Sequence, residues 1–177
     1  MFANAYQGRR VFVTGHTGFK GSWLAAWLTR LGATVAGFSD GIPTEPSHFA
    51  AMHLDAHLED LRGDIRDRQG MVDAVRRFKP EVVFHLAAQA LVRKSYEDPA
   101  GTFEANMLGT MNVLEAVRSA KKLGIASIAL TGSGGGTLAK EADSALRVPS
   151  NHTPRIQEMH ILIGHALCGI VEKALCR

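Results

Sequence analysis

The sequence has few of the residues that mark secreted, membrane-spanning or nucleic-acid-binding proteins. Its 177 residues include two cysteines, Cys168 and Cys176, which form neither a disulfide framework nor a CxxC zinc motif and suit a reducing compartment. No apolar run approaches the roughly 20 residues that span a bilayer, and a net charge of +3 is too small to indicate a nucleic-acid surface. We therefore expect a cytoplasmic globular protein with small-molecule ligands and with neither nucleic acid nor membrane among its partners.

Tyrosine is also scarce. Tyr6 and Tyr96 are the only two tyrosines, and the positions four residues later hold Arg10 and Ala100 rather than lysine. The chain therefore lacks a Tyr-x-x-x-Lys pair, in which the lysine lowers the pKa of the phenol so that it can act as a base. We assign no catalytic residue from the sequence.

Strand-like apolar segments alternate with helical patterns along the whole chain. We expect strands at residues 10–14, 34–38, 58–62, 81–86, 127–130 and 144–148. Between the third and fourth strands, Asp67 is a candidate N-cap of a helix that ends before Pro80. Because strands alternate with helices, right-handed crossovers should make the strands parallel. The sequence predicts a single α/β domain over residues 1–177: a doubly wound, Rossmann-like three-layer sandwich with a parallel sheet of about six strands in the order 3-2-1-4-5-6.

A glycine-rich turn joins the first strand to the first helix. Residues 14–21 (TGHTGFKG) combine a tight turn with a helix N-terminus, where backbone N–H groups and the helix dipole favour phosphate. Asp40 follows the second strand and is a candidate ligand of the ribose hydroxyls, although a solvated loop acid explains it equally well. The pattern predicts a dinucleotide site, and its alternative is a glycine-rich turn without a ligand.

Residues 7–119 resemble the N-terminal part of CDP-glucose 4,6-dehydratases, within the extended short-chain dehydrogenase/reductase superfamily. The matching stretches are GRRVFVTGHTGFKGSWLAAWL, PTEPSHF, GDIRD, VVFHLAAQALVRKSYEDP and NMLGTMNVLEAV. The resemblance implies NAD as cofactor, with the GDIRD stretch along the adenine pocket and the HLAAQ stretch beside the ribose and phosphates. The cofactor-binding residues that follow from the turn and the resemblance are Gly15, Thr17, Gly18, Phe19, Gly21, Asp40, Asp64, Ile65, Ala87, Ala88 and Gln89. The resemblance also implies that Arg93, Lys94 and Tyr96 face the substrate, whereas His85 is expected to be a packed strand residue.

The sequence changes character near Lys121. Residues 121–175 resemble the C-terminal half of phosphoheptose isomerases, which carry a sugar-isomerase (SIS) domain, through KKLGIASIALTGSGGGTLAKEADSALRVPS and RIQEMHILIGHALCGIVEKAL. That resemblance implies that Gln157 and His165 correspond to residues that reach the active site, where some members use them to bind zinc. In that family the remaining zinc ligands belong to the N-terminal half of the protein, which has no counterpart here, so we expect no metal site. Residues 1–120 would then form the dinucleotide-binding part, and residues 121–177 would complete the sheet.

The chain therefore has the features of a chimera of two families. The dehydratases oxidise the sugar C4, eliminate water and return the hydride, which requires the Tyr-x-x-x-Lys pair and an acid/base pair after the fifth strand. Because this chain has LTGSGGG at that place, we expect an NAD-binding module without turnover. Three alternatives stay open. The chain could be a dehydratase-like lyase with residual activity through Thr131, Ser133 or Lys94, or a phosphoheptose isomerase-like phosphosugar binder or isomerase. It could also be a hybrid fold in which the dinucleotide cradle, the set of cofactor-binding residues given above, is empty.

The expected partners are the dinucleotide and a sugar nucleotide or sugar phosphate. Ile161, Leu162 and Val171 lie outside a single apolar stripe of the last predicted helix, so we also expect a homodimer. His160 is expected on the surface of that helix.

Overall fold

The computed structural model describes residues 4–121, 128–142, 144–160 and 162–163. The chain divides into two compact units, one comprising Tyr6–Ile125 and the other Ala126–Arg177 with Met1–Ala5. Among the described residues, no helix combines the length and the apolar character that crossing a bilayer would need.

The first unit is a parallel sheet with helices between its strands. Its strands are β1 (Arg10–Thr14), β2 (Thr34–Ser39), β3 (Glu59–Arg62) and β4 (Val82–His85). Its helices are α1 (Phe19–Arg30), α2 (His48–Ala51), α3 (Arg68–Phe78), α4 (Val92–Glu97), α5 (Pro99–Phe103) and α6 (Gly109–Lys121), with a 3₁₀ turn at Leu54–Ala56 and a π-helical turn at Glu104–Leu108. All adjacent strands pair in parallel in the order 3-2-1-4, which confirms the Rossmann-like α/β fold and this part of the predicted strand order.

The central strand explains why this sheet has helices on both faces. Val11, Phe12 and Val13 have exposed fractions of 0%, as expected for a parallel strand covered on both sides. Phe12 packs with α3 and α6, and its ring centroid lies 6.2 Å from that of Phe38 and 6.1 Å from that of Phe78. Val11 and Val13 pack on the opposite face, against α1. The continuous apolar run of β1 thus specifies a three-layer sandwich.

Helix α3 is bounded by the signals expected from its sequence. The side chain of Asp67 accepts hydrogen bonds from the backbone N–H groups of Gln69 and Gly70, which satisfies donors that the first helical turn leaves unpaired. At the other end, Lys79 adopts the left-handed conformation with φ 53°, and Pro80 follows. The helix therefore covers the sheet between two defined ends.

The second unit contains the strands that were expected to continue the sheet. Its elements are β5 (Ile128–Thr131), α7 (Gly136–Glu141) and β6 (Ser144–Arg147), and residues 153–160 are helical. Strands β5 and β6 pair in parallel with each other as a two-stranded sheet. Within the described ranges, the strands do not form one continuous sheet, so the predicted pairing of the fourth strand with the fifth is not confirmed.

Candidate functional site

The parallel sheet of the first unit brings the predicted site residues to one edge. The segments that follow β1, β2, β3 and β4 all leave the sheet at its carboxyl end, because the four strands run in the same direction. Open α/β sheets bind their ligands at this edge. The eleven residues predicted from the sequence are distributed over these four segments.

The glycine-rich turn requires glycine at two positions for steric reasons. Gly15 has φ +73°, and a Cβ there would lie 2.7 Å from the backbone N of Ala87. A Cβ at Gly21 would lie 2.0 Å from the carbonyl oxygen of Gly15. The turn is thus held closely against the segment after β4 and against the start of α1.

The N-terminus of α1 has no side-chain cap. Gly18 is its N-cap residue, and no side chain of the described part of the chain accepts a hydrogen bond there. A helix of this length ordinarily satisfies its first N–H groups with a side chain, water or a ligand. The uncapped end, with its positive dipole potential, suits an anionic group such as a phosphate.

The turn is also tied to the segment after β2. Thr17 is buried, and its hydroxyl donates a hydrogen bond to the carbonyl oxygen of Gly41 at 2.6 Å. Asp40, immediately before Gly41, is exposed. Phe19, in the first turn of α1, has an exposed fraction of 75%. Asp40 thus lies beside the glycine-rich turn with its carboxylate open to a ligand.

The segment after β3 combines one polar and one buried residue. The carboxylate of Asp64 accepts hydrogen bonds from Nε of Arg66 at 2.8 and 3.0 Å, and this interaction lowers the pKa of Asp64. The Ile65 side chain is buried in the core, and its carbonyl oxygen accepts a hydrogen bond from Nδ2 of Asn112 at 2.9 Å. The pKa of Arg66 is raised mainly by its hydrogen bond to Asp64, with smaller contributions from the charges of Glu104 and Asp40, so the guanidinium interacts with the acidic groups after both β2 and β3.

A directed hydrogen-bond chain fixes the end of β4. Thr110 Oγ1 donates to the carbonyl oxygen of Asn106 at 2.7 Å, so it accepts from Nε2 of His85 at 3.1 Å. Nδ1 of His85 then accepts from the hydroxyl of Thr14 at 2.6 Å, and Thr14 Oγ1 accepts from the N–H of Ala87 at 3.2 Å. Burial lowers the pKa of His85 to about 4. His85 is therefore a neutral, packed strand residue, as expected, and it sets the position of the backbone at Ala87.

The loop after β4 is clamped by a residue that the sequence reasoning missed. Asn106 accepts a hydrogen bond from the backbone N–H of Gln89 at 2.8 Å and donates one to the carbonyl oxygen of Gln89 at 3.0 Å. The side chain of Gln89 donates to Thr102 Oγ1 at 3.0 Å, whereas Ala88 is exposed. Asn106 lies in the π-helical turn, and such turns occur frequently at functional sites, but the sequence alone does not reveal one.

His16 is a second residue that was missed. It lies in the glycine-rich turn, where its polarity and the neighbouring glycines are typical of an exposed loop residue. Its side chain is nevertheless fully buried and contacts Ser39 and Asp60. Both partners are distant in sequence, so no local signal could have identified them.

The two tyrosines have different surroundings, and neither is followed by a lysine at the fourth position. Tyr6 is half-buried against the core cluster that includes α1. Tyr96 lies on α4 with an exposed fraction of 84%. Arg93 and Lys94, on the same helix, are also exposed. These side chains do not form a packed acid/base group.

The second unit contains one of the two residues that the isomerase resemblance singled out within the described ranges. Gln157 is exposed, whereas His165 lies outside the described residues. His160 was expected on the surface, and it is only partly exposed, because its Nε2 lies 3.3 Å from the carbonyl oxygen of Thr131, the last residue of β5. In the described ranges, no group of three His, Cys, Asp or Glu side chains could hold a metal ion.

Comparison with known proteins separates the chain into the two expected parts. The CDP-glucose 4,6-dehydratase of Salmonella typhimurium is 53% identical over 115 residues, which is 65% of this chain and 32% of that protein. The phosphoheptose isomerase of Rhodospirillum rubrum is 55% identical over 65 residues, which is 37% of this chain and 35% of that protein. The chain thus spans about a third of the length of each curated relative.

Solved structures match the fold of the first part. The UDP-glucose 4-epimerase of Thermus thermophilus, in complex with NAD, is 36% identical with a TM-score of 0.59, covering 71% of this chain and 38% of that one. The Brucella ovis UDP-glucose 4-epimerase, also in complex with NAD, is 29% identical with a TM-score of 0.57, covering 71% of this chain and 36% of that one. The sequence profile described as GDP-mannose 4,6 dehydratase matches residues 12–133, and together with the glycine-rich turn and the 3-2-1-4 sheet this match shows that the chain belongs to the GDP-mannose 4,6 dehydratase family.

Proposed function

We propose that this chain is an NAD-binding module, related to the sugar-nucleotide 4,6-dehydratases, that does not turn over a substrate. The observation that carries the proposal is the N-terminus of α1, which has no side-chain cap. It directly follows the glycine-rich turn, and neither Gly15 nor Gly21 leaves space for a side chain. The site lies at the carboxyl edge of a parallel sheet, where a dinucleotide is expected.

Each part of NAD has a counterpart along this edge. The pyrophosphate would lie on the N–H groups at the start of α1, beside Gly18 and Phe19. Asp40 would bind the adenosine ribose hydroxyls, and Asp64 with Ile65 would line the adenine pocket. The segment from Ala87 to Gln89 would pass the remaining ribose and phosphate groups. The NAD named with the Thermus thermophilus and Brucella ovis epimerases supports this choice of dinucleotide, whose nicotinamide would supply a hydride acceptor.

The surroundings of the candidate side chains support the proposed absence of turnover. A base for a sugar hydroxyl needs a group with a perturbed pKa close to the reacting atom, and Tyr96 on α4 is largely exposed with Ala100 four residues later. The hydroxyl of Thr131 donates to the carbonyl oxygen of Gly132 at 3.2 Å, and that of Ser133 is hydrogen-bonded to Asn151. Both hydroxyls thus already have local partners, and Lys94 is exposed on the surface of α4.

Assembly into a homodimer remains part of the proposal. Leu162 has an exposed fraction of 58%, which supports an apolar surface at the C-terminal helix. Light scattering at micromolar protein should give twice the mass of the chain, and the mass of one chain would contradict it.

The test of NAD binding is a thermal melt of the whole chain with and without millimolar NAD. A ligand that binds only the folded state stabilises it by about 2.7 kcal/mol at a concentration of 100 Kd, so the melting temperature should rise. The Gly15→Val/Gly18→Val double variant should show no rise, because its side chains fill the turn. A cooperative melt of the unmodified chain without any shift would contradict the proposed site.

The absence of turnover needs a separate assay. Incubation with NAD and CDP-glucose, followed by mass spectrometry, should return the sugar nucleotide with its mass unchanged. The appearance of a product lighter by one water would show that the chain is a lyase and would remove this half of the proposal while leaving NAD binding intact.

A further inference from the structure

The glycine-rich turn contains a buried histidine that dinucleotide binding by backbone groups does not explain. His16 lies between Gly15 and Gly18, and the exposed fraction of its side chain is 0%. Histidine is usually only partly buried, and phosphate-binding turns act mainly through their backbone N–H groups. A fully buried imidazole at this position therefore calls for a role of its own.

The imidazole of His16 bridges two neighbouring strands. Its Nδ1 lies 3.0 Å from Oγ of Ser39 at the end of β2, and its Nε2 lies 2.8 Å from Oδ1 of Asp60 in β3. Phe49 of α2 packs edge-on against the ring, with the centroids 5.3 Å apart. Strand β2 leaves room for the ring, because a Cβ at Gly37 would lie 2.1 Å from Cγ of His16. The surroundings thus match both the shape and the two nitrogens of the imidazole.

The hydrogen-bond partners determine the protonation state of His16. Asp60 also accepts hydrogen bonds from Arg62, with Nη2 2.7 Å from Oδ2. An ionised carboxylate cannot donate, so Nε2 of His16 carries the hydrogen, and Nδ1 accepts from the hydroxyl of Ser39. Burial lowers the pKa of His16 and outweighs the opposite effect of Asp60, while the charge of Arg62 acts in the same direction as burial. The ring is therefore neutral, and both of its nitrogens are satisfied.

Building on the proposed function, we propose that His16 is a positioning residue for the bound dinucleotide, which fixes the glycine-rich turn against β2 and β3. Two other contacts hold the turn near β2: Gly15 N–H donates to the carbonyl oxygen of Phe38 at 2.9 Å, and Thr17 Oγ1 donates to that of Gly41 at 2.6 Å. His16 extends the attachment to β3. The N–H groups at the start of α1 are thereby held in position before a pyrophosphate binds, so that binding costs less conformational entropy.

The test separates the pyrophosphate from the rest of the ligand. A His16→Gln variant of the whole chain keeps an N–H group for Asp60 but cannot present the ring acceptor to Ser39. Its affinities for NAD and for ADP, measured by calorimetric titration, should fall by about tenfold or more, which is the effect of losing one well-placed interaction. Its affinity for adenosine, measured by ligand-observed NMR, should stay within about twofold of the unmodified chain, because adenosine carries no phosphate. Ser39→Ala should change the affinities in the same direction and by less.

A merely structural role for His16 would give a different pattern. Val75→Ala is the matched control, because Val75 is fully buried in α3 and its loss destabilises the same unit without altering the turn. The control should keep the ratio of ADP to adenosine affinity of the unmodified chain. An unchanged ADP affinity in His16→Gln, an equal loss for ADP and adenosine, or a selective loss of ADP affinity in Val75→Ala would each overturn the inference. A chain that binds neither NAD nor ADP in its unmodified form would overturn the proposed function itself.

A spectroscopic measurement checks the state of the ring independently. Nitrogen-15 NMR of the unmodified chain at pH 7 should show His16 as the neutral tautomer with hydrogen on Nε2. A doubly protonated ring, or hydrogen on Nδ1 alone, would contradict the bridge between Ser39 and Asp60.

Discussion

The strands of the two units differ in how completely they are covered. In the first unit, three successive side chains of β1 are fully buried between two helical layers. In the second, β6 has one half-buried residue among exposed ones, and Leu146 on that strand is 40% exposed. A parallel strand is stable when both of its faces are covered. The central strand of the first unit is thus enclosed between layers on which a binding site can be built, whereas β6 of the second unit is mostly exposed.

The same contrast applies to the two candidate sites. Every residue expected to bind the dinucleotide lies in the first unit, on four segments that follow four adjacent strands. Gln157, from the isomerase-like part, is exposed, and His165 lies outside the described residues. The predicted dinucleotide site is therefore contained within a single unit.

The largest expected effect compares the two strand environments directly. Phe12→Ala should lower the free energy of unfolding by about 3–5 kcal/mol, because it opens a cavity among Phe38, Phe78 and the helices that cover them. Leu146→Ala, at an exposed position of β6, should cost less than about 1 kcal/mol. Urea unfolding followed by circular dichroism measures both changes. Equal losses of unfolding free energy for the two variants would contradict the difference in burial between β1 and β6.

A second prediction separates backbone strain from close packing in the cradle. Gly8 and Gly15 both have positive φ, but a Cβ at Gly8 meets nothing within 4 Å, whereas one at Gly15 overlaps the backbone of Ala87. Gly8→Ala should therefore cost about 1–2 kcal/mol through strain alone and leave NAD affinity unchanged. Gly15→Ala should cost about 3 kcal/mol, because overpacking adds to the strain, and should abolish binding. Similar NAD affinities for these variants would show that the turn is not closely packed around its ligand.

A third prediction concerns pH and the neutral His85. Its pKa of about 4 in the folded chain lies below the ordinary value of 6.5, so below pH ~6.5 the unfolded chain binds a proton that the folded chain rejects. The resulting stabilisation is fully present above pH ~6.5 and falls by roughly 3 kcal/mol at most as the pH approaches ~4. Urea unfolding at several pH values should show that stability declines less steeply with falling pH in His85→Gln than in the unmodified chain. His16 is present in both proteins and contributes a decline of the same sign to each. Parallel declines would contradict the neutral hydrogen-bonded ring.

The smallest expected effect tests a helix end that the sequence predicted. Asp67→Ala removes the N-cap of α3 and should cost about 1 kcal/mol. Asp73→Ala is the matched control on the same helix, since Asp73 is exposed and accepts a side-chain hydrogen bond from Gln69 at 2.8 Å; it should stay within about 0.5 kcal/mol of the unmodified chain. Chemical denaturation of both variants measures the difference, and a larger loss for Asp73→Ala would show that the cap is not the dominant contribution.

The features that the sequence predicts well are those with local causes. The apolar run at Arg10–Thr14 predicts β1 with the bounds that the structure has, and Asp67 with Pro80 predicts the two ends of α3. The positions of Gly15 and Gly18 also follow from the pattern, because a strand, a turn and a helix adjoin in sequence. Local signals thus account for most elements of the first unit.

The features that could not be predicted depend on partners distant in the chain. His16 pairs with Ser39 and Asp60, which lie 23 and 44 residues away, and nothing near His16 indicates that it is buried. Likewise, Asn106 contacts Gln89 only because a π-helical turn directs it toward the loop after β4.

The measurement that tests the central claim most directly is the affinity for NAD of the whole chain and of a fragment containing residues 6–125, determined side by side by calorimetric titration. The cradle as described draws all of its residues from the first unit, so the two proteins should bind one NAD each with affinities that agree within about twofold, a difference of less than ~0.5 kcal/mol. A folded fragment that fails to bind NAD while the whole chain binds it would contradict the account, because it would show that the second unit supplies part of the site.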